Sequence, residues 1–381
     1  MVNLAKCCLT SASRLASHDR MRSIAAKERG HKSLHSVRRL RHRLSVLSYG
    51  DCVGFPPRPQ PGQLASVRAS LQPGPDKEVT VKRATRDVLY FETGPDNVPT
   101  LHVEPGEVFE VETQLNRGPW LDEHPQGEEL RRRLYGGNPS SGCIYVEGAE
   151  PGQMIIVHIG GIDLDPIGFS RFGGSTGAMP GWLGGTGVGT HHRIVEIHDR
   201  LIQWDQEVVL PVAPMLGCVG VAPARERYHN GWAGYWGGNF DAQEVTTGAA
   251  VQLAVNVPGA LLHIGDMHAL QGDGEICGAG GIEASGRVKL WCELTNKPSS
   301  MYWPRLEDET HIAILAQGRP AEDAFRYALE AMVLWLEESY GFARGDAYLY
   351  LGQVLEARCT QFVNPTFTYI AKVAKRYLPT P

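Results

Sequence analysis

The chain has 381 residues, 37 Lys+Arg against 42 Asp+Glu, a formal net charge of −5 and 42% hydrophobic residues. That length can bury a sizeable core, in one large domain or two ordinary ones. Residues 1–50 hold eleven Lys/Arg and two acids, which leaves 26 basic and 40 acidic residues in the remainder. An acidic body without a Lys/Arg stripe is a poor partner for nucleic acid, and no run of about 18 apolar residues marks a membrane span.

Residues 1–53 read as a basic, poorly ordered leader, with Ser36–Leu44 its most basic stretch. The composition is that of a mitochondrial-type transit peptide, and equally of a solvated tail or a mis-called start codon. Residues 54–78, with Pro56-Pro57, Pro61-Gly62 and Pro73-Gly74-Pro75, read as an extended linker, so the folded body is expected over residues 79–381. The eight cysteines are scattered, without a Cys-x-x-Cys pair, and point to a reducing compartment. Cytoplasmic residence follows, or mitochondrial residence if the leader is a transit peptide.

Within the body, Leu101–Val111, Met154–Ile159 and Val251–Val257 alternate or run apolar beside Pro-Gly turns, the pattern of half-buried strands. Arg193–Ile197, Glu207–Pro211 and Val288–Leu294 add further strands. The glycine-dense stretch Gly160–Gly189 is expected to be a long irregular loop that could cover a site; it matches neither a phosphate loop nor a dinucleotide fingerprint. Pro320 opens a helix whose stripe Phe325, Ala328, Leu329, Met332, Val333, Leu336 packs against a core, and Gly341 ends it. A second, short helix is expected over Asp346–Ala357. The fold class is mostly β (α+β): a β-sandwich-like core with a C-terminal helical segment.

Residues able to do chemistry gather between Tyr228 and Glu283. Asp266-x-His268 follows an apolar run, and on an extended backbone both side chains share one face and could reach one ion. Asp273 and Glu275 repeat the two-apart spacing around Gly274. Mixed oxygen and nitrogen donors suit Zn²⁺ or another divalent ion. The plain alternative is a turn whose acids cap neighbouring N–H groups.

The run Gly265-Asp-Met-His-Ala-Leu-Gln-Gly-Asp-Gly-Glu275 resembles the signature of the acetamidase/formamidase family, and Gly237-Gly238-Asn239-Phe240-Asp241 resembles its Gly-Gly-Asn-x-Asp element. Ala222-Pro223, Val257–Ala260 and Gln361–Pro365 extend the likeness over residues 79–381. The resemblance implies hydrolysis of small linear amides, formamide or acetamide, to ammonia and a carboxylate, by a metal-associated, oligomeric and intracellular enzyme. Carried over, Asp241, Asp266 and His268 are metal ligands, and Glu275 is a ligand or a base. Glu275 and Glu283 are candidates to move a proton to and from an ion-activated water. Asn239 would orient a ligand or hold the substrate amide, and Gln271, Gly272 and Trp236 would border the substrate. Trp232, Tyr235 and Trp236 before the Gly-Gly depart from the pattern and bear on substrate choice.

Two other readings stay open at this level. Cys277 could act as a thiol nucleophile with His268 or His263 as its base, against the ordinary reading of a small buried cysteine. The chain could also bind amides without turning them over. His191-His192 could border the site or lie exposed in a loop. Arg131–Arg133, Glu147 and Asp163-x-Asp165 read as surface or turn charges, and Trp291-Cys292 as core.

Overall fold

A computed structural model describes residues 81–173 and 176–380; the leader 1–53 and the linker 54–78 lie outside them. Nineteen strands of the described body join one curled sheet, antiparallel except for two short parallel pairings. The Pro-Gly turn at Pro105-Gly106 does separate two strands, Leu101–Val103 and Phe109–Thr113 (β1), with Gly106 at φ +81°. The two do not form a hairpin. Leu101–Val103 runs parallel to the end of Ser140–Val146 (β2), while β1 pairs antiparallel with Gly286–Leu290. Phe109, Val111 and Thr113 are the buried side of β1, as period two requires.

Two long strands, Gln153–Phe172 (β3) and Ala279–Asn296 (β9 below), form the backbone of the sheet, antiparallel from Gln153↔Asn296 to Arg171↔Ala279. The expected loop over Gly160–Gly189 is therefore corrected: residues 160–172 are strand. Glycines conceal it because close approach, not apolar alternation, fixes them. A Cβ on Gly160 would lie 2.8 Å from the Trp291 ring, and one on Gly168 2.8 Å from Glu283 O. Beyond Phe172 the described chain forms a short helix, Pro180–Gly185, and then the strand His191–His198 (β4). The histidine pair accordingly opens a strand, with both side chains exposed.

The site-bearing strands follow: Met215–Gly220 (β5), Gly237–Asn239 (β6), Ala250–Ala254 (β7), Leu262–His268 (β8) and Ala279–Asn296 (β9). Strand β8 is flanked by β5 and β2, and its last two residues also pair with β9, Met267↔Ala284 and His268↔Glu283. All seven of its residues are buried, which explains its nearly unbroken apolar start. The main core lies behind these strands, with Phe109, Ile155, Phe240 and Leu253 fully enclosed.

A second core sits under the C-terminal helix Ala321–Tyr340 (α1), where Ala328, Met332 and Leu336 meet the sheet residues Ile312, Ile314 and Val373. Pro320 precedes its first turn and Gly341, at φ +72°, closes it. The next helix is Arg344–Val354 (α2) rather than Asp346–Ala357, because Glu356–Gln361 is drawn into the sheet beside Phe367–Ala374. No helix among the described residues is long and apolar enough to cross a membrane.

Candidate active site

Three pieces of chain converge at the end of β8. Asp266 and His268 lie on β8, Glu283 faces His268 from β9, and Glu275 sits in the connection between them. Asp241 comes from the residues after β6, which Asn239 ends. None of the five is more than 7% exposed. One donor atom from each of Asp241, His268 and Glu275 lies within 4.8 Å of the others, and the same holds for Asp266, His268 and Glu283. His268 Nε2 stands 3.7 Å from Asp266 Oδ2 and 3.5 Å from Glu283 Oε1.

The local backbone is unusual at three of these acids. Asp241, Asp266 and Glu275 have φ of +46°, +53° and +38°, the left-handed region that residues with a Cβ seldom occupy. The simple extended backbone expected for Asp266-x-His268 is thus broken at Asp266, yet both side chains still reach a common space. Such strain persists only where surrounding structure holds it, and it concentrates at functional sites.

Hydrogen bonds fix most of the outer atoms and leave the inner ones free. Asp241 Oδ2 accepts from Asn239 Nδ2 at 2.9 Å and from Asn364 Nδ2 at 2.5 Å. Gln271 Nε2 donates to Asp241 O at 2.7 Å and Thr360 O at 3.3 Å, and its Oε1 lies 2.9 Å from His268 Nδ1. Glu275 Oε1 accepts from Gly280 N at 3.3 Å. Asp241 Oδ1, Glu275 Oε2, His268 Nε2 and Asn239 Oδ1 are buried with no partner. Buried polar atoms are rarely left so, and four in one cluster call for a ligand. Gly217 on β5 forms the floor: a Cβ there would collide with Asp241 Oδ1 and Asp266 Oδ2.

The motif residues and the fold can now be set beside known proteins. The model of the Acetamidase/Formamidase family matches residues 234–373, the segment that carries all five clustered residues. Residues 234–373 thus match the acetamidase/formamidase family. A crystal structure of an acetamidase from Bacillus halodurans superposes with a TM-score of 0.70 at 27% identity, over 77% of this chain and 98% of that one. One from Yersinia enterocolitica gives 0.68 at 28%, over 80% and 95%. Among curated sequences, a Schizosaccharomyces pombe protein named as a formamidase is 48% identical over 58 residues, 15% of this chain and 14% of its own length. The stretch matched in the curated relatives is therefore about one seventh of their length.

The electrostatics of the cluster are set by crowding. Burial raises the carboxyl of Asp241 well above its ordinary range, and the neighbouring charges of Glu275 and Asp266 add to it. Glu275 is pushed up to about 8, first by burial and then, against the pull of His268, by Asp266 and Glu283. Glu283 is raised by burial and by Asp266. Burial alone would lower His268, but the carboxylates of Asp266 and Glu283 outweigh it and hold the ring well above its usual value. Four carboxyls thus share one imidazole, and among the described residues no lysine or arginine forms an ion pair with any of the four. Such a surplus of buried negative charge is costly unless a cation or protons offset it. The donor set and the orphaned atoms fit a divalent ion.

The remaining expected residues are placed differently. Gly272 is exposed and Asp273 turns outward to Arg358 and Gln243, so the second two-apart acid pair does not act together. The Trp236 ring lies in the core, stacked on Tyr228 with centroids 4.0 Å apart, and Gln271 has both ends of its amide committed inside the protein. Cys277 is half-buried and its thiol is raised by burial and then by Glu275. Of the two bases considered for it, His263 is enclosed between Ser140 and Asn97, and His268 has its Nδ1 bound to Gln271. Arg131 pairs with Asp122, Glu147 with His102, and Asp165 with Arg86, as surface charges do. Cys292 is core. Asn364, Thr360, Gly217 and Gly281 were not singled out by sequence as site residues. A Cβ on Gly281 would stand 2.6 Å from His268 Nδ1, and only the Gln361–Pro365 likeness hinted at Asn364.

Proposed function

We propose that this chain hydrolyses small linear amides, formamide or acetamide, to ammonia and the carboxylate. Asp241, His268 and Glu275 would hold a divalent ion, Zn²⁺ first among the candidates, with Asp266 beside them. The observation that carries this reading is the set of partnerless donor atoms on these three residues, buried among excess carboxylates. When bound, such an ion supplies Lewis acidity, lowering the pKa of water and polarising a carbonyl.

The chain's own groups account for the rest. Asn239 Nδ2 is committed to Asp241, so its free Oδ1 is an acceptor suited to the N–H of a primary amide. Glu283, with a carboxyl that binds a proton more readily than an exposed one, can take a proton from the attacking water and return it to the leaving nitrogen. That return is essential, because nitrogen leaves as ammonia and not as the amide anion. The burial of these groups keeps their charges effective.

Self-association and cytoplasmic residence belong to the same reading; the five described cysteines are all free, in keeping with a reducing compartment. Glu283→Gln tests the chemistry. Ammonia release is expected to fall by about 10²–10⁴-fold while bound metal, measured by elemental analysis, is retained. Unchanged turnover would remove Glu283 from the mechanism.

A further inference from the structure

Gln271 is the one residue of the signature run whose side chain reaches the cluster without being able to ligate an ion as His268 or a carboxylate can. Its amide orientation is fixed by its neighbours. The nitrogen faces two backbone carbonyls, Asp241 O at 2.7 Å and Thr360 O at 3.3 Å, and a carbonyl can only accept. The oxygen therefore faces His268 Nδ1, at 2.9 Å, and the proton of that hydrogen bond must sit on Nδ1. The opposite ring nitrogen, Nε2, is left buried and partnerless, facing Asp266 and Glu283.

We infer that Gln271 is a positioning residue: it locks the His268 ring with a proton on Nδ1, so that Nε2 is always the nitrogen presented to the cluster and its lone pair is the one available to an ion. The same amide ties Asp241 O to the ring, coupling two of the ion-holding residues through one side chain. This rests on the reading of His268 as a ligand, and it replaces substrate contact as the role of Gln271. In metal sites the group that receives the second N–H of a ligating histidine fixes ring orientation and raises its donor strength, and its loss commonly costs about 10–100-fold in metal affinity.

The test uses the full chain loaded with Zn²⁺, with affinity read by chelator competition and the ring by ¹H–¹⁵N spectra of the imidazole nitrogens. Gln271→Met keeps the length and removes the acceptor; Gln271→Glu keeps the acceptor. The expected result is an Nδ1–H signal from His268 in the wild type, about 10–100-fold weaker Zn²⁺ binding in Q271M with that signal lost or shifted, and recovery toward wild type in Q271E. Q271M binding as wild type with its signal intact would overturn the inference alone. So would equal loss in both variants, which would mark the amide as a backbone staple only. If Q271M does not fold, an Nε2–H rather than Nδ1–H signal in the wild type is still decisive against it. A wild type that takes up no Zn²⁺ overturns the metal reading, and this inference with it.

Discussion

At the scale of single residues, the cluster depends on a glycine as much as on its acids. Gly217 leaves room for two carboxylates that a methyl group would displace. Gly217→Ala is therefore expected to lower both metal content and ammonia release by at least about 100-fold, the cost typical of misplacing reacting groups by an ångström. Elemental analysis and an ammonia assay on the folded variant check this, and full activity would contradict the close packing described. Asp266 and His268 were legible in sequence because the spacing and the apolar run before them are local features. Gly217 and Asn364 were not, since each reaches the cluster from a distant segment, and Gly281, though it lies beside Glu283, shows its close approach to His268 only once the sheet closes.

His263 illustrates the opposite case, a histidine buried for structure. Asn97 Nδ2 donates to its Nε2 at 3.1 Å, a direction fixed because the same Nδ2 also donates to Glu92 O, and Nδ1 meets Ser140 Oγ at 3.0 Å. Burial, with a smaller contribution from Arg227, depresses its pKa from 6.5 to about 3. Below 6.5 the unfolded chain takes up a proton that the folded chain refuses, so this contribution to stability is present above 6.5 and lost as pH falls toward about 3. The expected slope is one proton, about 1.4 kcal/mol per pH unit. Denaturant titrations between neutral and mildly acidic pH should show it, and His263→Gln should remove one proton from the dependence. An unchanged slope would mean that His263 is protonated in the fold.

At the scale of elements, local pattern located several strands and the long helix, and failed where tertiary approach chose the residues. The helix α1 was readable because its apolar stripe and its closing Gly341 are both properties of the helix itself. The second half of β3 was hidden because Gly160 and Gly168 serve close contacts with β9 that sequence does not display. The start of the strand Glu356–Gln361 was taken for helix because nothing within it announces its pairing with Phe367–Ala374. Since Gly341 adopts φ +72° with open space around its Cα, Gly341→Ala should cost about 1 kcal/mol through backbone strain alone. Equilibrium unfolding measures this, and activity per folded molecule should not change.

At the scale of the whole molecule, the curled sheet buries a site in which four carboxyls and one imidazole are brought together from three stretches of chain. The family match over residues 234–373 and a fold shared over nearly all of the Bacillus halodurans acetamidase are consistent with the proposed amide hydrolysis, and the partnerless donors of the cluster support the proposed cation. The most direct measurement is ammonia release from formamide and acetamide by the purified chain, before chelation, after chelation, and after Zn²⁺ is returned. The account predicts turnover that disappears with the metal and comes back with it. Undiminished turnover in protein shown to be metal-free would contradict it and return attention to Cys277, and no ammonia from metal-loaded protein that binds these amides would leave a binding protein in its place.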